Sequence, residues 1–239
     1  MSDECEREDL VEKKYILFDL DGTLTDSYLG ITRCVQYALN DQGIEENNLD
    51  VLKQYIGPSL DYSFNKYHGL TGDNLTRAVA KYRERYKDTG IFENEVYDGI
   101  EYCLKTLQSA EKILCLSTCK PEVFAERILE HFGLRQYFTV VTGSDLEGLR
   151  KHKSQVIEET FRRIMVDVLN VEPDTDKQNI IKADSIMVGD RDQDVNGAHE
   201  EQIECIGVRY GYAKEDELEN AGADYIVATV PELTALILS

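Results

Sequence analysis

Short apolar runs that end in a polar residue or a glycine recur along this chain and alternate with longer amphipathic stretches. Each run is too short for a helix and is followed by turn-forming residues, which favours a buried strand. Five runs fit this description: Tyr15–Phe18, Ile113–Leu116, Phe138–Val141, Ile186–Val188 and Ile203–Val208. Apolar residues spaced three and four apart predict helices over 99–110, 121–132, 153–170 and 194–202. The alternation predicts an α/β fold with a Rossmann-like, doubly wound parallel sheet covered on both faces.

One long segment, between the first strand and Gly99, interrupts this alternation with helical patterns and no convincing strand. Its helical stretches are Ile31–Leu39, Leu49–Tyr55 and Leu75–Tyr86. We therefore predict a helical cap domain, residues 28–95, inserted into a core domain made of residues 1–27 and 96–239. Within the core, residues 172–184 are polar and predict a loop. Residues 1–12 predict a charged tail.

The composition narrows the classes of partner. The 239 residues include 26 Lys and Arg against 46 Asp and Glu, a net charge of −20, which repels nucleic-acid phosphates and anionic lipids. No apolar run reaches the ~18–20 residues that span a membrane, and the acidic N-terminus lacks a signal-peptide pattern. Six cysteines without a CxxC pair favour reduced thiols. We predict a cytoplasmic protein that binds neither nucleic acid nor membrane.

Polar residues follow three of the predicted strands at the same edge of the sheet. They are Asp19 and Asp21, Ser117 and Thr118, and Asp190 and Asp194. Any one pair could be a helix cap or a turn, but ligands of parallel sheets bind at this edge, so three pairs together favour a site. Residues two apart in an extended segment project the same way, so Asp19 and Asp21 face one small volume. Their mutual repulsion calls for a cation or a shared proton.

These residues form a pattern that resembles the haloacid dehalogenase superfamily of phosphatases. FDLDGTLTDS, residues 18–27, resembles the first motif of that family, LSTCKP, residues 116–121, the second, and VGDRDQD, residues 188–194, the fourth. Lys153, in KSQVI, stands where the family keeps its third-motif lysine. The four motifs occur in order over almost the whole chain. The helical segment after the first motif is similar to the capped branch that includes phosphoglycolate phosphatases.

The resemblance implies a magnesium-dependent phosphatase that works through an aspartyl-phosphate. Asp19 would attack phosphorus as the nucleophile. Asp21 would protonate the leaving oxygen and then activate the water that hydrolyses the intermediate. Mg²⁺ would be held by Asp19, by the main-chain carbonyl of Asp21 and by Asp190. Asp194 would orient these ligands without binding the metal itself.

The resemblance also assigns the phosphate-binding groups. Thr118 would donate a hydrogen bond to the phosphoryl group, Cys119 would offer its backbone N–H, and Lys153 would neutralise charge. Lys151 and Lys120 compete with Lys153 for this position on sequence grounds. A bound Mg²⁺ and one or two lysines would let this acidic chain hold an anionic substrate.

Three further residues each have two possible roles. Arg191 could reach the rim of the site or pair with surface acids. In the cap, Ser59 and Arg83 are candidates for substrate specificity, and the alternative for each is an ordinary solvated helix position.

The function that follows is hydrolysis of a small-molecule phosphate monoester, either phosphoglycolate-like or a nucleotide or sugar phosphate. The expected partner is that ester alone, with the protein a monomer or a homodimer. Two alternatives stay open. One is a phosphomutase or other phosphotransferase on the same scaffold, and the other is a regulatory binding protein that keeps the fold without turnover.

Overall fold

The structure, a computed structural model, describes residues 13–146 and 150–239. Within these residues the strands are β1 (Tyr15–Phe18), β2 (Thr25–Asp26), β3 (Glu95–Val96), β4 (Ile113–Pro121), β5 (Val140–Ser144), β6 (Ser185–Gly189), β7 (Glu204–Val208) and β8 (Tyr225–Val227). The α-helices are α1 (Tyr28–Asp41), α2 (Leu60–His68), α3 (Gly72–Tyr86), α4 (Ile100–Ser109), α5 (Glu122–His131), α6 (Lys153–Arg163), α7 (Thr175–Ala183), α8 (Asp192–Glu200), α9 (Glu217–Ala221) and α10 (Val230–Leu238). The predicted tail, residues 1–12, lies outside the described residues. No helix among the described residues is long and apolar enough to cross a bilayer.

A six-stranded sheet with the order β5-β4-β1-β6-β7-β8 forms the centre of the larger unit. All its pairings are parallel, and β1 lies between β4 and β6, with Phe18 opposite Leu116 on one side and Val188 on the other. Every residue of β1 and β6 is buried. A parallel strand covered on both faces is apolar throughout, which is why these runs do not alternate. The predicted α/β fold is confirmed.

Contacts divide the chain into two compact units. One comprises the residues up to Leu24 and those from Tyr97 onward, and the other comprises Thr25–Val96. The first holds the sheet. The second contains α1 to α3 and a 3₁₀ helix, Leu49–Tyr55. Its two ends are joined by the antiparallel pair of β2 and β3. The observed boundaries differ by a few residues from the predicted cap, 28–95, whose role as a cap stays a prediction.

The apolar interior of the larger unit forms because helices close both sides of the sheet. Helix α6 packs against β4, β5 and α8. Its buried residues include Ile157 and Phe161, and these join a cluster with Leu17 of β1 and Met187 of β6. Cys103, Cys115 and Cys205 are fully buried, and the five cysteines among the described residues are free thiols.

The predicted loop over 172–184 is wrong, because residues Thr175–Ala183 form α7. The side chain of Asp174 caps this helix by accepting the backbone N–H of Lys177. Of its nine residues only Ile181 is buried, so the apolar periodicity that marks a helix is nearly absent. The predicted helix over 153–170 changes after Arg163 into a π-helical turn, Ile164–Val168.

Several further elements did not stand out in the sequence, among them β8, α9 and α2. Strand β8 has only three residues, two of them half-buried. Helix α9 has five residues with one buried. Helix α2 follows a break at Gly57, whose φ is +103°. Elements of three to nine residues give few repeats of an amphipathic pattern.

Candidate active site

The turn after β1 places two buried carboxylates at the edge of the sheet. Asp19 and Asp21 are 4% and 7% exposed, and the backbone N–H of Asp19 still bonds to the carbonyl of Val188 on β6 at 2.9 Å. Gly22 then adopts a φ of +86°. A Cβ at Gly22 would lie 2.1 Å from Asp190 Oδ2, so this turn needs glycine both for its conformation and for the close approach of Asp190.

Lys153 is the first residue of α6 and carries its ammonium into this cluster. Its Nζ donates to Asp19 Oδ1 at 2.8 Å and lies 2.7 Å from Asp194 Oδ1. Burial lowers the pKa of Lys153, but Asp19 and Asp194 together outweigh that effect and raise it, so the lysine is charged at neutral pH. Lys151 is exposed. Of these two neighbours, only Lys153 contacts the Asp19 carboxylate.

Lys120 reaches the same cluster from β4. Its Nζ donates to Asp21 Oδ2, and both side chains are nearly buried. The register between β4 and β5 shifts between Ser117 and Pro121, which marks a local irregularity in the part of β4 that carries Lys120. The two carboxylates after β1 therefore have separate lysines, an arrangement that the sequence left open.

The second acidic pair lies at the start of α8. Asp194 is fully buried, and its Oδ2 accepts the backbone N–H groups of Asp190 and Arg191, each at 3.1 Å. This side chain therefore fixes the backbone that carries Asp190. Burial raises the pKa of Asp194 to about 6, with Lys153 opposing the rise and Asp19 adding to it.

Asp190 is held on one oxygen and free on the other. Its Oδ2 accepts the backbone N–H of Tyr212 at 2.7 Å, whereas its buried Oδ1 has no hydrogen-bond partner among the described residues. Burial, with Asp194 and Asp19 adding repulsion, raises the pKa of Asp190 well above its ordinary value. A buried, unpartnered carboxylate oxygen is costly unless a cation or a proton satisfies it.

The loop after β7 completes the cluster and was missed in the sequence. A Cβ at Gly211 would lie 2.3 Å from Asp190 Cβ and 2.4 Å from the Gly22 carbonyl oxygen, so this backbone packs directly on the acidic turn. Tyr210 donates its hydroxyl to the Thr23 carbonyl at 3.0 Å. In the sequence, Gly211 between two tyrosines is the feature that could have suggested that this loop packs on the acidic turn. A backbone N–H group gives no signal in the sequence, because almost every residue has one.

The donor set fits a divalent cation. One oxygen each from Asp19, Asp190 and Asp194 can lie within 4.8 Å of the others, and carboxylate oxygens are the ligands that Mg²⁺ prefers. With Asp21, the cluster holds four carboxyl groups against the ammonium groups of two lysines, so a divalent cation would offset the excess of acidic groups.

The second motif is largely buried. Thr118 is 1% exposed, and its Oγ1 accepts the backbone N–H of Lys120 at 3.3 Å, which leaves the hydroxyl proton free to donate. Ser117 instead bonds to Thr160 on α6 at 3.0 Å and so belongs to the interior. Cys119 keeps some exposed surface, but desolvation raises the pKa of its thiol to about 12, so a thiolate is absent at neutral pH.

Three candidates remain: Arg191, Ser59 and Arg83. Arg191 forms an ion pair with Glu217 at 2.6 Å, with both side chains nearly buried, which favours pairing with an acid over the predicted alternative at the rim. Ser59 caps α2 by accepting the backbone N–H of Tyr62 at 3.5 Å, and Arg83 is a partly exposed residue of α3. Their roles in specificity stay predictions.

Residues 16–208 match the family model described as haloacid dehalogenase-like hydrolase. The chain belongs to this family. A curated 5'-nucleotidase of Pseudomonas aeruginosa is 42% identical over 203 residues, covering 85% of this chain and 86% of that protein. The tyrosine-protein kinase PtkA of Mycobacterium tuberculosis is 33% identical over 220 residues, covering 91% and 70%.

Other relatives agree with this family. A crystal structure of a predicted phosphatase from Clostridium acetobutylicum has a TM-score of 0.85 at 43% identity and covers 95% of this chain and 98% of that one. A phosphoglycolate phosphatase of Colwellia psychrerythraea is 24% identical over 234 residues, covering 94% and 96%. The family match and these relatives confirm the predicted superfamily and the predicted enzyme class, a phosphatase-type hydrolase.

Proposed function

We propose that this haloacid dehalogenase-like hydrolase is a Mg²⁺-dependent phosphatase that cleaves a small-molecule phosphate monoester through an aspartyl-phosphate on Asp19. The observation that supports this most is the pair of buried carboxylates after β1, each with its own lysine. Two identical side chains two residues apart thereby occupy different surroundings, which is what separate nucleophile and acid–base roles require.

In the first half of the reaction, a carboxylate oxygen of Asp19 attacks phosphorus and the bond to the ester oxygen breaks. The electron pair leaves with that oxygen, which takes a proton from Asp21 as the alcohol departs. Thr118 donates its hydroxyl to the phosphoryl group, and Lys153 stabilises the charge shared by that group and Asp19. Cys119 offers its backbone N–H.

In the second half, water attacks the phosphorus of the aspartyl-phosphate while Asp21 takes its proton. The bond between phosphorus and the Asp19 oxygen breaks, which releases phosphate and returns Asp19 to the carboxylate and Asp21 to the protonated acid with which the cycle began. Mg²⁺, bound by Asp19, Asp190 and the main-chain carbonyl of Asp21, would supply charge neutralisation for the phosphoryl group. Asp194 would hold Asp190 in place through its two backbone hydrogen bonds.

For the substrate, we propose a nucleoside 5'-monophosphate ahead of phosphoglycolate. The 5'-nucleotidase matches at 42% identity, whereas the phosphoglycolate phosphatase matches at 24%. The unit Thr25–Val96 would select among esters, because the core residues contact only groups that every phosphate monoester presents. The protein is proposed to act on this ester in the cytoplasm, as a monomer or homodimer.

A panel of phosphate monoesters tests this function. Purified protein with Mg²⁺ should release inorganic phosphate from several nucleoside 5'-monophosphates with a higher kcat/KM than from phosphoglycolate. The Asp19→Asn variant is the control for contaminating phosphatases. Phosphoglycolate as the best ester would overturn the substrate proposal alone, and no phosphate release from any ester would overturn the phosphatase proposal.

A phosphotransferase remains the second candidate because PtkA, named as a kinase, is 33% identical. The same panel distinguishes the two. Transfer would convert the starting ester into a new phosphorylated product when an acceptor alcohol is added, with less free phosphate released per ester consumed. Equal amounts of phosphate and alcohol, with acceptors present, would support hydrolysis.

A further inference from the structure

We infer that Lys120 is a positioning residue that fixes one oxygen of Asp21 and leaves the other to exchange the proton with the ester oxygen. The inference rests on the proposed phosphatase function and goes beyond it, because it assigns separate tasks to the two lysines and to the two oxygens of one carboxylate.

The first observation is the contrast between the two oxygens of Asp21. Oδ2 accepts a hydrogen bond from Lys120 Nζ. Oδ1 is buried and has no hydrogen-bond partner among the described residues. A carboxylate held at one oxygen cannot turn freely about its last bond, so its other oxygen keeps a fixed direction. That oxygen is the one that Lys120 leaves without a bond.

The second observation is how firmly Lys120 is held. Its backbone N–H donates to Thr118 Oγ1, and its side chain is only 6% exposed. Lysine normally samples many rotamers and loses this freedom when buried. Here the backbone N–H of Lys120 is held by Thr118, which the proposed mechanism places on the phosphoryl group. The side-chain ammonium of Lys120 is held by Asp21. The carboxylate is thereby aligned with the phosphate-binding residue.

The third observation separates Lys120 from Lys153. Lys153 contacts Asp19 and Asp194, so its charge lies beside the nucleophile. Lys120 contacts Asp21. Loss of Lys153 should therefore slow the reaction of every ester, whereas loss of Lys120 should slow those esters whose alcohol needs a proton to leave.

The test compares two esters that differ in this need. p-Nitrophenolate is a stable leaving group that departs without a proton, whereas the alkoxide of a nucleoside 5'-monophosphate requires one. The quantity is the ratio of kcat/KM for the nucleotide to kcat/KM for p-nitrophenyl phosphate. This ratio reports steps up to departure of the alcohol, so hydrolysis of the shared aspartyl-phosphate does not affect it.

We expect Lys120→Met to lower this ratio ~100-fold, the size of effect that a misplaced proton donor produces. Lys120→Gln, which keeps a hydrogen-bond donor, should lower it less. Lys105→Met is the matched control, since Lys105 is an exposed residue of α4, and its ratio should equal that of the wild type. Circular dichroism confirms that each variant folds, and Lys120→Gln replaces Lys120→Met if the latter does not.

Asp21→Asn provides the reference that separates the two hypotheses. If Asp21→Asn lowers the ratio and Lys120→Met lowers both kcat/KM values equally, the positioning role is wrong and the acid–base role of Asp21 stands. If KM rises equally for both esters, Lys120 binds phosphate instead, which also overturns the inference. If Asp21→Asn leaves the ratio unchanged, the proposed acid–base role fails, and the inference fails with it.

Discussion

Replacing Lys153 with methionine should destabilise the metal-free protein more than any surface charge change. The ammonium lies 2.8 Å from Asp19 and 2.7 Å from Asp194, with side-chain exposures of 0–6% for all three residues. Removing one partner of a buried ion pair leaves the other charges uncompensated and costs about 3–5 kcal/mol. For a chain of this length that lowers Tm by about 6–20 °C. Lys151→Met, two residues away and exposed, is the matched control.

The loss of stability caused by Lys153→Met should also depend on pH. The pKa of Asp194 is raised to about 6 by burial, with Lys153 opposing the rise, so loss of the lysine raises it further. A carboxyl whose pKa is higher in the folded state gives stability that is present at low pH and lost as pH rises through that pKa. The Tm difference between Lys153→Met and Lys151→Met should therefore be larger at pH 8 than at pH 5.

Differential scanning fluorimetry in EDTA measures both effects. A Tm for Lys153→Met within about 2 °C of the control at pH 8, equivalent to roughly 1 kcal/mol or less, would refute the electrostatic reasoning. A Tm difference between Lys153→Met and Lys151→Met that does not change with pH would also refute it. Turnover should fall by ~10²–10³ even where added Mg²⁺ restores part of the stability.

Three further changes test the site and the cap. EDTA should abolish turnover and Mg²⁺ restore it, because the donor oxygens suit a hard cation; full activity after verified metal removal would contradict this. Gly211→Ala should raise the Mg²⁺ concentration for half-maximal activity by ~10-fold, because its Cβ would clash with Asp190 and the Gly22 carbonyl; an unchanged Mg²⁺ titration would argue against that contact. Ser59→Ala or Arg83→Ala should change the ratio of kcat/KM between a nucleotide and p-nitrophenyl phosphate, and a constant ratio would place specificity in the core.

Much of the site could be predicted from the sequence because its residues end buried parallel strands. The apolar run Tyr15–Phe18 and its abrupt change to Asp19 indicate both the strand and the edge at which it ends. The central strands β1 and β6 are buried throughout, so their composition alone marks them. Residues that follow such strands must meet at one edge of the sheet.

The parts that could not be predicted depend on geometry that a residue type does not determine. Three lysines, Lys120, Lys151 and Lys153, competed for one role, and only their placement shows that two reach the cluster and one is exposed. The N–H of Tyr212 that holds Asp190 is a backbone group present at almost every position. Helix α7 was missed because it buries a single residue.

The central claim is that Asp19 becomes covalently phosphorylated, and mass spectrometry of acid-quenched protein tests it most directly. The Asp21→Asn variant should be mixed with p-nitrophenyl phosphate, because its aspartyl-phosphate forms without a proton donor but lacks the base that activates water. Peptide mapping should then place one phosphoryl group on Asp19, absent from an Asp19→Asn control. Release of p-nitrophenol with no phosphoryl group on Asp19, or with the group on another residue, would contradict the account.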